Sequence, residues 1–138
     1  MAESSILKGR RLPMAKTAIA YDPAEEAYLL PFVSLVNRLV EIIGRKLTAY
    51  IGSVSDTKEV EAWEKGARPS EDVERRLRFA YRIAKEISAR FGPTTAQAWL
   101  QGVNSELDDQ VALQLIRESN LLAVGSDIIA AEHAFLDR

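Results

Sequence analysis

The sequence predicts an all-α protein, about six or seven short helices around one core. Three observations carry that expectation. Apolar residues recur three and four positions apart through most of the chain. No segment alternates with period two over the length a half-buried strand needs. Glycine, proline and small polar residues fall where helices start and stop. The 138 residues suit one domain, or two very small lobes sharing a core, and 47% hydrophobic with 28% charged residues is an ordinary globular balance. A chain of this size buries roughly two-thirds of its unfolded surface and needs no disulfide or metal staple.

Residues 1–22 read as a tail punctuated by Ser4, Ser5, Gly9, Pro13 and, just beyond, Pro23. Order begins over 25–30, and Pro31 takes the first position of a helix, where its missing N–H costs nothing. Leu35, Val36, Leu39, Val40, Ile42 and Ile43 follow at helical spacing, and Gly44 or Lys46 lies near the end. Leu47-Thr48-Ala49-Tyr50-Ile51-Gly52 is a short second helix stopped by its glycine. After a turn, Ser55 or Asp56 caps a third helix over 57–65 that turns Val60 and Trp63 inward and ends at Gly66. Ser70 caps the longest helix, whose apolar stripe is Val73, Leu77, Ala80, Tyr81, Ala84, Ile87 and Phe91. Gly92-Pro93 breaks it.

Thr94 or Thr95 then caps a short helix through Trp99-Leu100, and Gly102-Val103-Asn104 turns. A helix over 108–118 places Leu107, Val111 and Leu115 on one face. Ser119-Asn120 interrupts, and Ser126 or Asp127 caps a last helix carrying Val124, Ile128, Ala131 and Phe135.

Composition removes several chemistries. The absence of cysteine excludes thiolate metal sites, cysteine nucleophiles and disulfide redox chemistry. One histidine leaves little room for a histidine-rich metal site, and no GxSxG, GxGxxG, GxxxxGK or HExxH motif occurs. No enzyme, catalytic residue, cofactor or metal is therefore expected. His133 reads as an exposed helix residue rather than a ligand, and Asn104 as a turn or cap residue. Glu106, Asp108 and Asp109 crowd a helix N-terminus, which the helix dipole explains without a metal. No apolar run approaches the roughly 20 residues of a membrane span, and Lys16 interrupts the apolar patch near the N-terminus. The expected compartment is the cytoplasm.

The net charge of −2 hides a segregation. Residues 68–90 hold seven basic and four acidic side chains, while residues 91–138 hold two basic and seven acidic. A basic middle and an acidic C-terminal third make either two surfaces for different partners or two solvated faces.

Residues 47–67 pair two short helices across a tight turn, as in a DNA-binding helix-turn-helix. Leu47, Ala49, Tyr50, Ile51, Val60 and Trp63 pack the pair, and Thr57, Lys58, Glu61 and Glu64 face outward. The candidate DNA contacts are Thr57, Lys58, Lys65, Arg68 and Arg75. Asp56, Glu59, Glu61 and Glu64 oppose phosphate neutralisation at this helix. The next helix carries Arg75, Arg78, Arg82 and Lys85 in one stripe, with Glu71–Arg75, Glu74–Arg78 and Arg82–Glu86 pairs at i,i+4. That stripe is either a salt-bridged solvent face or a phosphate- or partner-binding face. Lys8, Arg10, Arg11 and Lys16 could serve as an arm that adds phosphate contacts.

The 47–67 unit, with Trp63 and Gly66, resembles the Xre family of helix-turn-helix proteins. Downstream, Arg76-Leu77-Arg78 with Tyr81, then Trp99-Leu100, Asn104 and Leu107-Asp108-Asp109 follow in order. This series resembles the MbcA/ParS/Xre antitoxins, over residues 33–136. It departs from them at Asp109-Gln110-Val111-Ala112 and Glu118-Ser119-Asn120, where the family often has a proline and a glycine. The resemblance implies a flexible N-terminal tail over 1–24, an Xre-like helix-turn-helix region over 25–91 and a toxin-binding domain over 92–138.

It further implies an antitoxin of a type II toxin–antitoxin system, without catalysis or cofactor. The partner would be a RES-domain toxin that consumes NAD⁺ by phosphorolysis or hydrolysis. Operator DNA and a homodimer or larger toxin–antitoxin assembly complete the expected partners. The segment implied to cover the toxin's NAD⁺ pocket is Glu132, His133, Phe135, Leu136, Asp137 and Arg138. Phe135 and Leu136 would anchor in an apolar rim, and Arg138 would offer its guanidinium or the terminal carboxylate. Phe135 reads equally as core, and Trp99, Leu100, Val111 and Leu115 read as core. The alternative is a stand-alone Xre-type transcriptional regulator whose C-terminal domain only dimerises.

Overall fold

The computed structural model describes residues 22–138. Among them are seven α-helices: α1 (Pro23–Leu29), α2 (Phe32–Ile51), α3 (Thr57–Glu64), α4 (Glu71–Phe91), α5 (Pro93–Gln101), α6 (Ala112–Glu118) and α7 (Leu121–Leu136). Between α5 and α6 lie two short antiparallel strands, β1 (Val103–Asn104) and β2 (Gln110–Val111), joined through a 3₁₀ turn at Ser105–Leu107. The chain is mostly helical, as its periodicity predicts. The expected tail, with Lys8, Arg10, Arg11 and Lys16, lies outside the described residues up to position 21. Helix α1 nevertheless begins inside the 1–24 boundary. The Asp22 side chain accepts from the Glu25 N–H at 2.9 Å, and Pro23 supplies a ready helical φ at the first position.

Local signals set most of the helix ends. Gly44 breaks α2 with φ 86° and ψ 166°, dividing it into two arms where the sequence places the end of one helix. Two carbonyls at the break accept from side chains. Thr48 Oγ1 donates to the Gly44 carbonyl, and Gln97 Nε2 of α5 donates to the Ile42 carbonyl, both at 2.8 Å. Asp56 caps α3 by accepting from the Lys58 N–H, and Ser70 caps α4 by accepting from the Val73 N–H. Asn104 caps the 3₁₀ turn by accepting from the Glu106 N–H.

Four expected boundaries move. Pro31 is the residue before α2, extended at ψ 145°, rather than its first helical position. Neither Thr94 nor Thr95 caps α5; Gly92 holds the cap position at φ 93° and Pro93 is already helical. The helix expected over 108–118 starts only at Ala112. Asp108 and Asp109 take left-handed φ of 56° and 62°, a region aspartate tolerates, and Gln110–Val111 is spent on pairing with β1. Helix α7 starts at Leu121, capped by Asn120 through the Leu122 N–H, so Ser126 and Asp127 lie inside it.

Helix α4 is the central strut, packed against α1, α2, α5, α6 and α7. Leu77, Ala80, Tyr81, Ile83, Ala84 and Ile87 are buried along it, and one core gathers residues from both sides of position 92. The stripe leaves the core at Phe91, which is 45% exposed. Arg78 fastens α1 to this strut. Its Nη1 donates to the Ala27 and Leu30 carbonyls at 3.1 and 2.8 Å, and its Nε donates to Glu74 at 3.0 Å. Those carbonyls are acceptors that a helix end leaves open. Arg78→Ala is expected to cost roughly 1.5–3 kcal/mol, the range for hydrogen bonds to a charged group. Amide exchange across α1 should accelerate with it. A denaturation midpoint and exchange rates equal to wild type would show that Arg78 does not hold α1.

Candidate functional site

The second arm of α2 and helix α3 form a bihelical unit joined by residues 52–56. Its tightest approach is at Gly52, where a Cβ would stand 2.5 Å from Trp63 Cη2. Trp63 and Val60 are buried, as the inward pattern predicts. Glu64, expected to face outward, does not. Arg45 Nε and Nη2 donate to its two carboxylate oxygens at 3.0 and 2.9 Å, a bidentate pair that turns it toward α2.

The five candidate DNA contacts do not share one face. Half-buried Thr57 and exposed Lys58 open the first turn of α3. Beside them a recess of about 440 Å³ is lined by Lys46, Tyr50, Ser55, Asp56, Thr57 and Arg117. The Arg117 guanidinium lies over the Tyr50 ring, 4.3 Å from its centroid. Lys46 and Arg117 are cations that sequence reasoning did not place at this helix; Arg117 arrives from α6. Lys65 is exposed at the opposite end of α3. Arg68 is engaged: it donates to Glu74 at 2.6 Å and lies over the Phe32 ring at 5.3 Å. Burial works against the Glu74 carboxylate, yet hydrogen bonds from Arg68 and Arg78 together outweigh it and hold its pKa below the ordinary value.

Arg75 sits elsewhere. It lines a groove of about 950 Å³ between α1, α4 and the α6–α7 junction, with Arg76, Arg78, Arg82, Phe79 and Leu122. No residue of α3 lines that groove. Three members of the expected basic stripe, Arg75, Arg78 and Arg82, thus line one groove, where the neighbouring guanidiniums are differently engaged. Arg78 is absorbed by α1, Arg76 Nη1 donates to the Ile116 carbonyl at 2.9 Å, and Arg75 approaches Asp72 at 3.9 Å rather than Glu71.

At the C-terminal end, the segment 132–138 is part of α7 and its cap. Phe135 is half-buried, with its ring edge-on to Phe91 at 5.4 Å and 6.4 Å from Trp99. Arg138 lies 5.9 Å above Phe135, and Arg90 lies 5.5 Å from the Phe91 centroid. Leu136 is half-buried, and His133, Asp137 and Arg138 are exposed. The result is a partly open aromatic patch capped by two guanidiniums. Leu100 is fully buried, while Trp99, Val111 and Leu115 are only partly buried against the core.

Glu132 departs from the expected partner-facing role. It is wholly buried, facing Glu86 of α4. Burial first, and then the neighbouring Glu86 carboxyl, push its pKa up to about 9, with Arg82 acting in the opposite sense. Helical spacing carried the signal, since Glu132 is four residues past Ile128 and three before Phe135. No helix among the described residues is long and apolar enough to cross a membrane. No protein-family model, characterised protein or solved structure matches this chain.

Proposed function

We propose that this chain is a cytoplasmic, non-catalytic binding protein, the antitoxin of a type II toxin–antitoxin system, resembling the MbcA/ParS/Xre antitoxins. In this reading it neutralises a RES-domain, NAD⁺-consuming toxin and represses its own operon as a homodimer or larger toxin–antitoxin assembly. The observation that carries the reading is the aromatic patch of Phe91, Trp99 and Phe135 under Arg90 and Arg138. Half-open aromatic side chains with flanking arginines are the chemistry of interface anchors. Phe135, Leu136, Asp137 and Arg138 are then the toxin-facing residues, with His133 at their edge and Glu132 behind them in the core. Thr57 and Lys58, with Lys46 and Arg117, supply the phosphate-facing end of α3 for operator DNA.

The test is co-expression with the product of the neighbouring gene, with cellular NAD⁺ as the readout. Wild type should recover as a stable complex with suppressed NAD⁺ loss. Phe135→Ala, or removal of residues 136–138, should weaken neutralisation by about thirtyfold, the effect of losing a hot-spot anchor. Operator binding should be unchanged in both. Lys58→Glu should do the reverse, weakening DNA binding and lowering its salt dependence by about one counterion. The basic cluster at α3 also fits the stand-alone regulator whose C-terminal part only dimerises. Full neutralisation by the 136–138 deletion, or a chain that purifies alone beside no toxic neighbour, would favour that account.

A further inference from the structure

Helices α4 and α7 meet at a charged cluster that the binding reading does not use. Glu86 comes from α4, and Glu132 and His133 from α7; one donor atom of each lies within 4.8 Å of the other two. Glu132 is wholly buried, and neither of its oxygens has a hydrogen-bond partner among the described residues. Glu86 Oε1 and Arg82 Nε are buried and unpartnered as well, standing 3.9 Å apart. His133 Nε2 is 3.7 Å from Glu132 Oε1, and its half-exposed ring opens the cluster to solvent. A buried carboxylate requires a donor, a proton or a cation.

We propose that Glu86, Glu132 and His133 form a binding site for a zinc-type divalent ion that clips α4 to α7. Two carboxylate oxygens and one imidazole nitrogen are a donor set zinc accepts, with a fourth position left for water or a partner's donor. Donors about 2.0–2.2 Å from one zinc stand roughly 3–4 Å from each other. The Glu132–His133 separation of 3.7 Å already lies in that range, and the donor atom of Glu86 stands within 4.8 Å of both. The two carboxylates balance the ion's charge, while Arg82 beside Glu86 opposes it and moderates the affinity. The clip would set the last two turns of α7, next to the aromatic patch.

His133 is the chain's one histidine and there is no cysteine, so an imidazole signal reports this site alone. The experiment uses the full chain without a tag, stripped with chelator and titrated with zinc chloride by calorimetry, with ¹⁵N spectra of the His133 ring. One ion should bind per chain, shift the ring nitrogens, raise the melting temperature and release protons, read as a buffer-dependent heat. His133→Ala alters an exposed residue and keeps the fold; it and Glu132→Gln should each weaken binding by more than about tenfold. Zinc binding equal in wild type and His133→Ala, or ring nitrogens unmoved by zinc, would overturn the proposal and assign the cluster to a proton shared by the two carboxyls.

Discussion

Replacing Gly52 with alanine is expected to cost the fold about 2 kcal/mol, within the range for overfilling a packed site. The backbone does not resist, since Gly52 sits at φ −78°, open to any residue. The loss is steric. The new Cβ would stand 2.5 Å from Trp63 Cη2 and 3.5 Å from Val73 Cγ1, and Trp63 is only 3% exposed, so its ring has nowhere to swing. For a chain of this length the melting temperature should fall by roughly 5–10 °C. The cause is separable by a double-mutant cycle with Trp63→Phe. The smaller ring removes the clashing atom, so Gly52→Ala should cost at least about 1 kcal/mol less when combined with Trp63→Phe. Additive effects would show that Gly52 serves the turn rather than the approach of the two helices.

The second large effect is in pH. Glu132 holds its proton in the fold up to about 9, against 4.5 in the unfolded chain. A raised carboxyl stabilises fully below 4.5, and that stabilisation drains as pH climbs toward 9, because the folded state then binds more protons than the unfolded one. The metal-free protein should therefore lose stability across this window, at up to about 1.4 kcal/mol per pH unit. The charged groups facing Glu132 are Glu86 and Arg82 from α4 and His133 from α7. Glu132→Gln keeps the shape and cannot ionise, so its stability curve should be flat there and exceed wild type by at least about 2 kcal/mol near pH 8. Urea midpoints that run parallel for the two proteins between pH 5 and 9 would remove Glu132 as the source.

The sequence-level expectations succeed where the determinant is local. Asp56 and Ser70 act on amides two and three residues ahead, and a glycine at Gly44 or Gly92 declares its break without a neighbour. They miss where a distant element decides. Ser126 or Asp127 reads as the cap of the last helix, but α7 starts at Leu121 and runs through both, packed against α4, α6 and the 3₁₀ turn. Asp108 and Asp109 look like first-turn acids, yet pairing between β1 and β2 holds both left-handed. For the candidate sites, Lys58 is named from its outward place on α3 and Phe135 from the family resemblance, while Arg117 carries no signal, since only the packing of α6 near α2 brings it to Tyr50. Glu132 shows a conflict of signals. The family resemblance assigns it to the partner face, while its spacing from Ile128 and Phe135 turns it inward, where it lies buried beside Glu86 of α4.

The break at Gly44 has a consequence for how sequences descended from this one can vary. Its φ of 86° excludes ordinary side chains on handedness, while nothing among the described residues lies within 4 Å of a Cβ there. Volume is free at this position and chirality is not, so no change elsewhere in the chain compensates a substitution. Gly52 is the reverse case, with a permissive backbone and a single crowded neighbour in Trp63. Among relatives Gly44 should remain glycine whatever surrounds it. Position 52 should instead admit larger residues, but only in lineages where position 63 has shrunk.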